Sequence, residues 1–112
     1  ISEEERIEKI SEFLDKTSDI DAVLFGANYL LLAGLQSLSK LGLRIPVDKA
    51  VISFDDHDSF RLHSPSITVL SQPIEEMGKK TIKLLMKQMS DGSSYKVVKE
   101  KKKGSLTIRE SV

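Results

Sequence analysis

The sequence predicts an α/β fold, a three-layer α/β/α arrangement around a mostly parallel sheet. Three observations carry this. The runs 22-AVLF-25, 50-AVISF-54 and 67-ITVL-70 are continuously apolar, as in strands covered on both faces rather than strands with one wet side. Amphipathic stretches of helical period separate them, and helices alternating with apolar strands give parallel sheets. At 112 residues the chain is at most one domain with a single modest core.

The elements follow in order. Ser2 and Glu5 have capping-box spacing, and Glu3, Glu4 and Glu5 suit the positive end of a helix. Ile7, Ile10, Phe13 and Leu14 make the apolar stripe of that helix, and the polar stretch from Thr17 to Asp21 ends it. After 22-AVLF-25 and Gly26, Asn28 is placed to cap a second helix, 28-NYLLLAGLQSLSKLG-42, which Gly42 stops. Pro46 and Asp48 form a turn before 50-AVISF-54, and 57-HDSFRLHS-64 reads as a short helical or irregular piece. Strand 67-ITVL-70 leads to Pro73, a good first helical residue, with Glu75 and Glu76 behind it. Ile74, Met77, Thr81, Leu85 and Met89 form the apolar face of that third long helix, and Lys79, Lys80, Lys83 and Lys87 face water. The turn 91-DGSS-94 closes it, and strands 95-YKVVKE-100 and 105-SLTIRE-110 follow.

Composition narrows the function. There is no cysteine, hence no disulfide or thiolate chemistry, and a reducing compartment is compatible with that. No apolar run reaches the roughly 18 residues of a membrane helix, and no signal peptide is visible. The net charge of zero conceals an asymmetry: residues 1–72 carry 7 Lys/Arg against 12 Asp/Glu, and residues 73–112 carry 10 against 5. No aromatic residues interleave with the lysines, so the basic half reads as solvated faces rather than a nucleic-acid surface. The lysines of 99-KEKKK-103 guard an edge strand and its turn.

The stretch 55-DDHD-58 sets acids directly after a buried strand. Ligands of open α/β sheets bind beyond the carboxyl ends of the strands. If the strands are parallel, the loops 26-GAN-28, 55-DDHD-58 and 71-SQP-73 share one edge, and Asn28, Asp55 and Gln72 converge there. Amides and a carboxylate together suit a neutral polyol, a sugar or a nucleobase. Each residue also has a plainer role: Asn28 and Gln72 as helix caps, Asp55 as a strand end. Asp56 and Asp58 read as solvated or capping residues. His57 and His63 stand six apart, poor spacing for metal ligands, so no metal is expected. No nucleophile–base pair stands out, and neither an enzyme nor a cofactor is expected. The second helix, with Tyr29, Leu30, Leu31, Leu32, Ala33, Leu35, Leu38 and Leu41, has almost no polar face in its first half. The sheet covers one side; the other needs a partner, which makes this helix the expected interface of a homodimer through Tyr29, Leu31, Leu32 and Leu35.

The stretches 21-DAVLFGANYLLLAGLQSLSKLGLRIPVDKAVISFDD-56, 67-ITVLSQPIEEMGKKTIKLL-85 and 106-LTIRES-111 resemble the effector-binding domain of LacI/GalR-type transcriptional regulators. The resemblance covers nearly all of the chain from about Thr17. It rests on an Asn after the first strand, a Gly-Leu-Arg-x-Pro turn, a Phe-Asp-Asp, a Gln-Pro opening a helix and an Arg-Glu-Ser ending. It implies one lobe of a periplasmic-binding-protein-like type I fold, with a small-molecule effector in the cleft between two lobes. Residues 1–71 would belong to the C-terminal lobe, 72–94 would supply a helix of the other lobe, and 95–112 the closing strands. The start at Ile1 rather than methionine fits a segment of a longer protein. The family's ligand contacts fall on Asn28, Asp55 and the hinge segment near Gln72. Where the family usually has aspartate after that Asn, this chain has Tyr29, which brings a ring near the cleft or the subunit interface. The resemblance further implies a cytoplasmic bacterial protein, a homodimer, and operator DNA read by a helix-turn-helix that this chain lacks.

Two other functions compete. A receiver-type phosphoacceptor would use clustered aspartates to hold Mg²⁺. It also needs an acid after a second strand and a lysine after a third, whereas the loop after Phe25 has no acid and the loop after Leu70 has Gln72 and no lysine. A sugar-binding protein of transport is the other, weakened by the absence of a secretory signal. The chain by itself is expected to give no specific operator complex, and a salt-resistant, sequence-specific gel shift with it alone would refute that.

Overall fold

The computed structural model describes residues 1–92 and 96–112. It divides into two compact units, Ile1–Ser71 with Leu106–Val112, and Gln72–Ser105. The elements run α1 (Glu3–Lys16), β1 (Ala22–Phe25), α2 (Asn28–Lys40), β2 (Ala50–Phe54), α3 (Asp58–Leu62), β3 (Thr68–Ser71), α4 (Ile74–Ser90) and β4 (Ser105–Thr107). One sheet has the order β1-β2-β3-β4. The β1–β2 and β2–β3 pairs are parallel, so the α/β class and its mostly parallel sheet stand as the apolar runs predict.

In the first unit, α1 begins with the full capping box. The Ser2 hydroxyl accepts from the Glu5 N–H at 3.1 Å, and the Glu5 carboxylate accepts from the Ser2 N–H at 2.8 Å. Its C-terminal end is closed by a residue the sequence did not single out. The Lys49 ammonium is buried and donates to the carbonyls of Thr17, Ser18 and Ile20. A cation at the negative end of a helix is favourable, and these acceptors replace the water it gives up. Helix α2 ends as the sequence predicts. Gly42 takes φ +68°, its N–H donates to Ser39 O, and the Leu43 N–H donates to Leu38 O at 2.9 Å. This is the paired-bond stop that a left-handed glycine permits. Arg44 and Asp48 brace the following turn through two guanidinium–carboxylate contacts of 2.9 and 3.2 Å.

The core gathers Leu14, Phe25, Leu31, Leu38, Val51, Phe60, Ile67 and Val69. Helix α1 packs along α2, and the Ser37 hydroxyl, wholly buried in α2, donates to Ile7 O and to Ala33 O. The sheet meets α2 at Gly34. A Cβ there would lie 2.2 Å from the Phe25 ring, so glycine sets how closely helix and strand approach.

Several expectations need correction. β1 is not covered on both faces: Phe25 is buried but Leu24 is 62% exposed. β1 ends the sheet, and Ala22 and Leu24, which share its second face, are both exposed. Phe13 leaves the α1 stripe, half exposed, because Leu14 occupies the inward position. The N-cap of α2 is Ala27, with Asn28 the first helical residue. α1 covers part of α2 that the sequence assigned to a partner, and Leu31 is fully enclosed, so it offers no surface to a second subunit. Leu35 is half-buried against the core, whereas Tyr29 and Leu32 are exposed at 54% and 47%.

In the second unit, Pro73 sits at the N-cap of α4. No residue of that helix is buried, and the expected face of Ile74, Met77, Leu85 and Met89 is exposed. The strand expected over 95–100 is absent from Lys96 to Glu100, and Tyr95 lies outside the described residues, as do Ser93 and Ser94 of the preceding turn. Residues 96–102 run along α4 instead. Gln88 donates to Lys96 O, Lys80 pairs with Glu100 at 3.1 Å, and Lys102 pairs with Glu76 at 3.0 Å. The last strand stops at Thr107, since the backbone and side chains of residues 109–111 bond to β2, β3 and the turn before β3 instead of extending a ladder.

Gly34→Ala is expected to destabilise the fold by about 1–2 kcal/mol. The overlap with a buried ring costs roughly 1–3 kcal/mol and the better helix propensity of alanine returns up to about 1. A lowered urea midpoint at unchanged slope would register it.

Candidate functional site at the strand ends

The register Phe25↔Ser53 and Phe54↔Leu70 sets the carboxyl ends of β1, β2 and β3 side by side. Asn28 and Asp55 therefore stand beyond the same edge of two adjacent strands. Asn28 is exposed, and its side-chain oxygen accepts from the Tyr29 N–H at 2.7 Å. The two N–H donors of its amide have no partner among the described residues. The first turn of α2 contains no acid.

Asp55 has φ +68°, the one non-glycine residue at positive φ among those described. Asp and Asn tolerate this conformation better than other residues, and such strain is concentrated where a site needs a fixed backbone. The Asp55 N–H donates to Leu70 O at 2.9 Å, which continues the contact with β3 by one residue before the chain reverses.

The remaining residues of 55-DDHD-58 each have an intramolecular partner. Asp56 is neither merely solvated nor merely a cap. Its two oxygens receive the Arg109 guanidinium at 2.9 and 2.7 Å, and the same guanidinium donates to Ile67 O at 3.0 Å. These bonds hold the Asp56 carboxyl below the usual carboxylate range, against the opposing effect of burial, and they raise Arg109. His57 caps α3, its Nδ1 accepting from the Ser59 N–H, and its ring lies tilted on Phe60. Asp58 pairs with Arg61 at 3.2 Å. An open cavity of about 310 Å³ is lined by Asp56, His57, Asp58 and Arg61. Among the described residues no group of three or more His, Asp or Glu could hold a metal ion.

Tyr29 lies at the start of α2 with the Arg6 guanidinium 5.1 Å from its ring centre, a cation–π contact between α1 and α2. Gln72 is the first residue of the second unit. It is exposed, its carbonyl accepts from the Ile74 N–H as α4 begins, and it lines a cavity of about 570 Å³ with Pro73, Ile74, Glu75, Glu76 and Lys79. Sequence reasoning missed Arg109 as the partner of Asp56. The available signal was the Arg-Glu-Ser ending, whose arginine is a cation of the chain end able to answer the acids after β2.

Residues 2–112 match the periplasmic binding protein-like domain, and the chain belongs to that family. Within it, the chain corresponds to part of the effector-binding domain of LacI-family transcriptional regulators. It is 34% identical over 100 residues to the transcriptional regulator CelR of Thermobifida fusca, which covers 89% of this chain and 29% of CelR. It is 32% identical over 106 residues to the repressor PurR of Vibrio vulnificus, 94% of this chain and 30% of PurR. A structure of CelR with cellobiose superposes with TM-score 0.86 at 30% identity, over 100% of this chain and 34% of that one. A LacI family regulator from Arthrobacter sp. FB24 in complex with lactose superposes with TM-score 0.77 at 28% identity, over 98% and 41%. The chain thus spans about a third of these relatives, which are regulators of transcription rather than enzymes. No described helix is long and apolar enough to cross a membrane.

The Asp56 pair gives a pH dependence whose sign is fixed. A carboxylate held below its ordinary value of about 3.9 contributes stability that is fully present above that pH and is lost as pH falls through the lowered value. Urea unfolding is expected to show a constant stability difference between the wild type and Asp56→Asn from about pH 7 to pH 5, shrinking below about pH 4. A difference that persists unchanged into acid would contradict the pairing.

Proposed function

We propose that this chain is the effector-sensing and dimerisation part of a LacI/GalR-type transcriptional regulator. The effector is a small polyhydroxylated metabolite, a sugar, with Asn28, Asp55, Tyr29 and Gln72 as its contacts. Residues 1–71 belong to one lobe of the cleft, 72–94 supply a helix of the other, and 95–112 close the structure. Operator DNA is bound in the cytoplasm through a helix-turn-helix outside these residues. The effector acts by binding one arrangement of the lobes more tightly than the other, because a ligand indifferent to the two would shift nothing.

The observation that carries the reading is the placement of Asn28 and Asp55 at level ends of neighbouring parallel strands, with Asp55 held in a left-handed conformation. A carboxylate accepts hydrogen bonds from two adjacent hydroxyls, and an amide donates to a ring or hydroxyl oxygen, which is how a neutral sugar is held in orientation. The cellobiose and lactose complexes of two relatives support that ligand class. Homodimerisation through α2 is supported by the exposure of Tyr29 and Leu32 at its start, with Leu35 behind them.

The test is a thermal-shift screen of sugars and nucleobases on the full-length protein, since a ligand specific for the native state raises its melting point. A sugar that gives a shift is then expected to lose affinity at least about tenfold in Asn28→Ala and in Asp55→Gly. Glycine at position 55 removes the carboxylate without opposing the positive φ. Sugar binding of wild-type strength in both variants would sink the assignment of these contacts.

A further inference from the structure

Positive φ is uncommon outside glycine even for aspartate, and at Asp55 it persists where the surrounding chain over-determines it. On its N-terminal side the restraint is β2 itself, with the Asp55 N–H bonded to Leu70 O at 2.9 Å. On its C-terminal side the next residue, Asp56, is gripped by both terminal nitrogens of Arg109 at 2.9 and 2.7 Å.

Arg109 is itself fixed. Its side chain is only 14% exposed, its guanidinium also reaches Ile67 O, and its backbone N–H donates to Thr68 Oγ1 at 2.8 Å. The two residues that follow are tied down as well. Glu110 accepts from the Ser66 N–H and hydroxyl, and the buried Ser111 donates to Val51 O and accepts from the Thr68 N–H. The fork of Arg109 thus joins the chain leaving β2, 53 residues before it, to the chain entering β3. A planar guanidinium does this with two parallel bonds, and a lysine has no such geometry.

We infer that Arg109 and Asp56 are positioning residues for effector recognition: their ion pair holds the chain reversal that fixes Asp55. This rests on the reading of Asp55 as an effector contact. The pair needs no contact with the effector, and it sets the backbone from which the Asp55 carboxylate extends. Binding would otherwise have to supply the cost of ordering that residue, because apparent affinity is the intrinsic affinity multiplied by the fraction of molecules already in the competent conformation.

The experiment uses the full-length protein with Arg109→Gln, Arg109→Lys and Asp56→Asn. Hydrogen exchange by mass spectrometry follows the peptide over residues 54–57 against peptides over 22–25 and 67–70 as internal references. Titration with cellobiose and with lactose follows affinity. In Arg109→Gln and Asp56→Asn, exchange over 54–57 is expected to accelerate about tenfold or more with the reference strands unchanged. Whichever sugar the wild type binds should then bind about tenfold more weakly, with Arg109→Lys recovering part of both effects. Exchange unchanged over 54–57, or rising equally in the reference strands, would overturn the proposal, as would full sugar affinity in Arg109→Gln. Should the wild type bind neither sugar, the sugar reading fails separately, and the exchange result alone decides whether the pair holds the loop.

Discussion

The hydroxyl of Ser111 is the joint on which the first unit depends. It is buried, donates to Val51 O at 2.6 Å and accepts from the Thr68 N–H at 2.8 Å, so one atom holds the starts of β2 and β3. The Ser111 backbone adds a bond in each direction, to the Val51 N–H and to Ser66 O. A buried hydroxyl is costly to leave unsatisfied and modestly favourable when satisfied, so its worth lies in specificity as much as in energy. It fixes the position of Glu110 and Arg109 just before it, and through Arg109 the reversal at Asp55. The end of the chain therefore controls the geometry of a loop fifty residues earlier.

The parallel sheet explains why the candidate site lies where it does. Parallel strands leave all their carboxyl ends on one edge, and the ligands of such sheets bind at the loops there. The opposite end of the first unit is occupied differently. There the Lys49 ammonium closes α1, the Arg44–Asp48 pair closes the turn, and the surrounding crevice of about 420 Å³ is lined by Leu14, Asp15, Ser18, Leu41, Leu43, Val47, Asp48 and Lys49. One edge is thus tied by the Lys49 and Arg44–Asp48 contacts, while the other presents the Asn28 amide donors and the left-handed backbone of Asp55 beside the Asp56–Arg109 pair.

The second unit obeys a different balance. Its helix buries no side chain, and it is held by local contacts: Lys79 with Glu75 one turn apart, and the 96–102 stretch through Glu100 and Lys102. Exposed pairs of this kind contribute little each. The apolar row of α4 was legible as periodicity, but periodicity reports only that a face is apolar, not what covers it. The same limit applies to β1, whose four apolar residues read as a doubly covered strand and whose Leu24 stands exposed at the end of the sheet.

Local chemistry decided what lay within a few residues. The capping box of Ser2 and Glu5, the left-handed stop at Gly42, the three main strands and the edge shared by Asn28 and Asp55 all follow from short-range propensity and from the rule that apolar runs joined by helices pair in parallel. The resemblance to LacI/GalR-type regulators was equally visible, since its signals are short stretches in order. The tertiary structure decided what requires distant residues to meet: Arg109 on Asp56, Lys49 on the end of α1, Gly34 against Phe25, Ser111 between two strands, and which side of α2 remains for a partner. Propensity and spacing act over one or two turns of chain. A contact between residues 56 and 109 exists only after the sheet has closed, because the sheet is what brings those two residues within reach of each other.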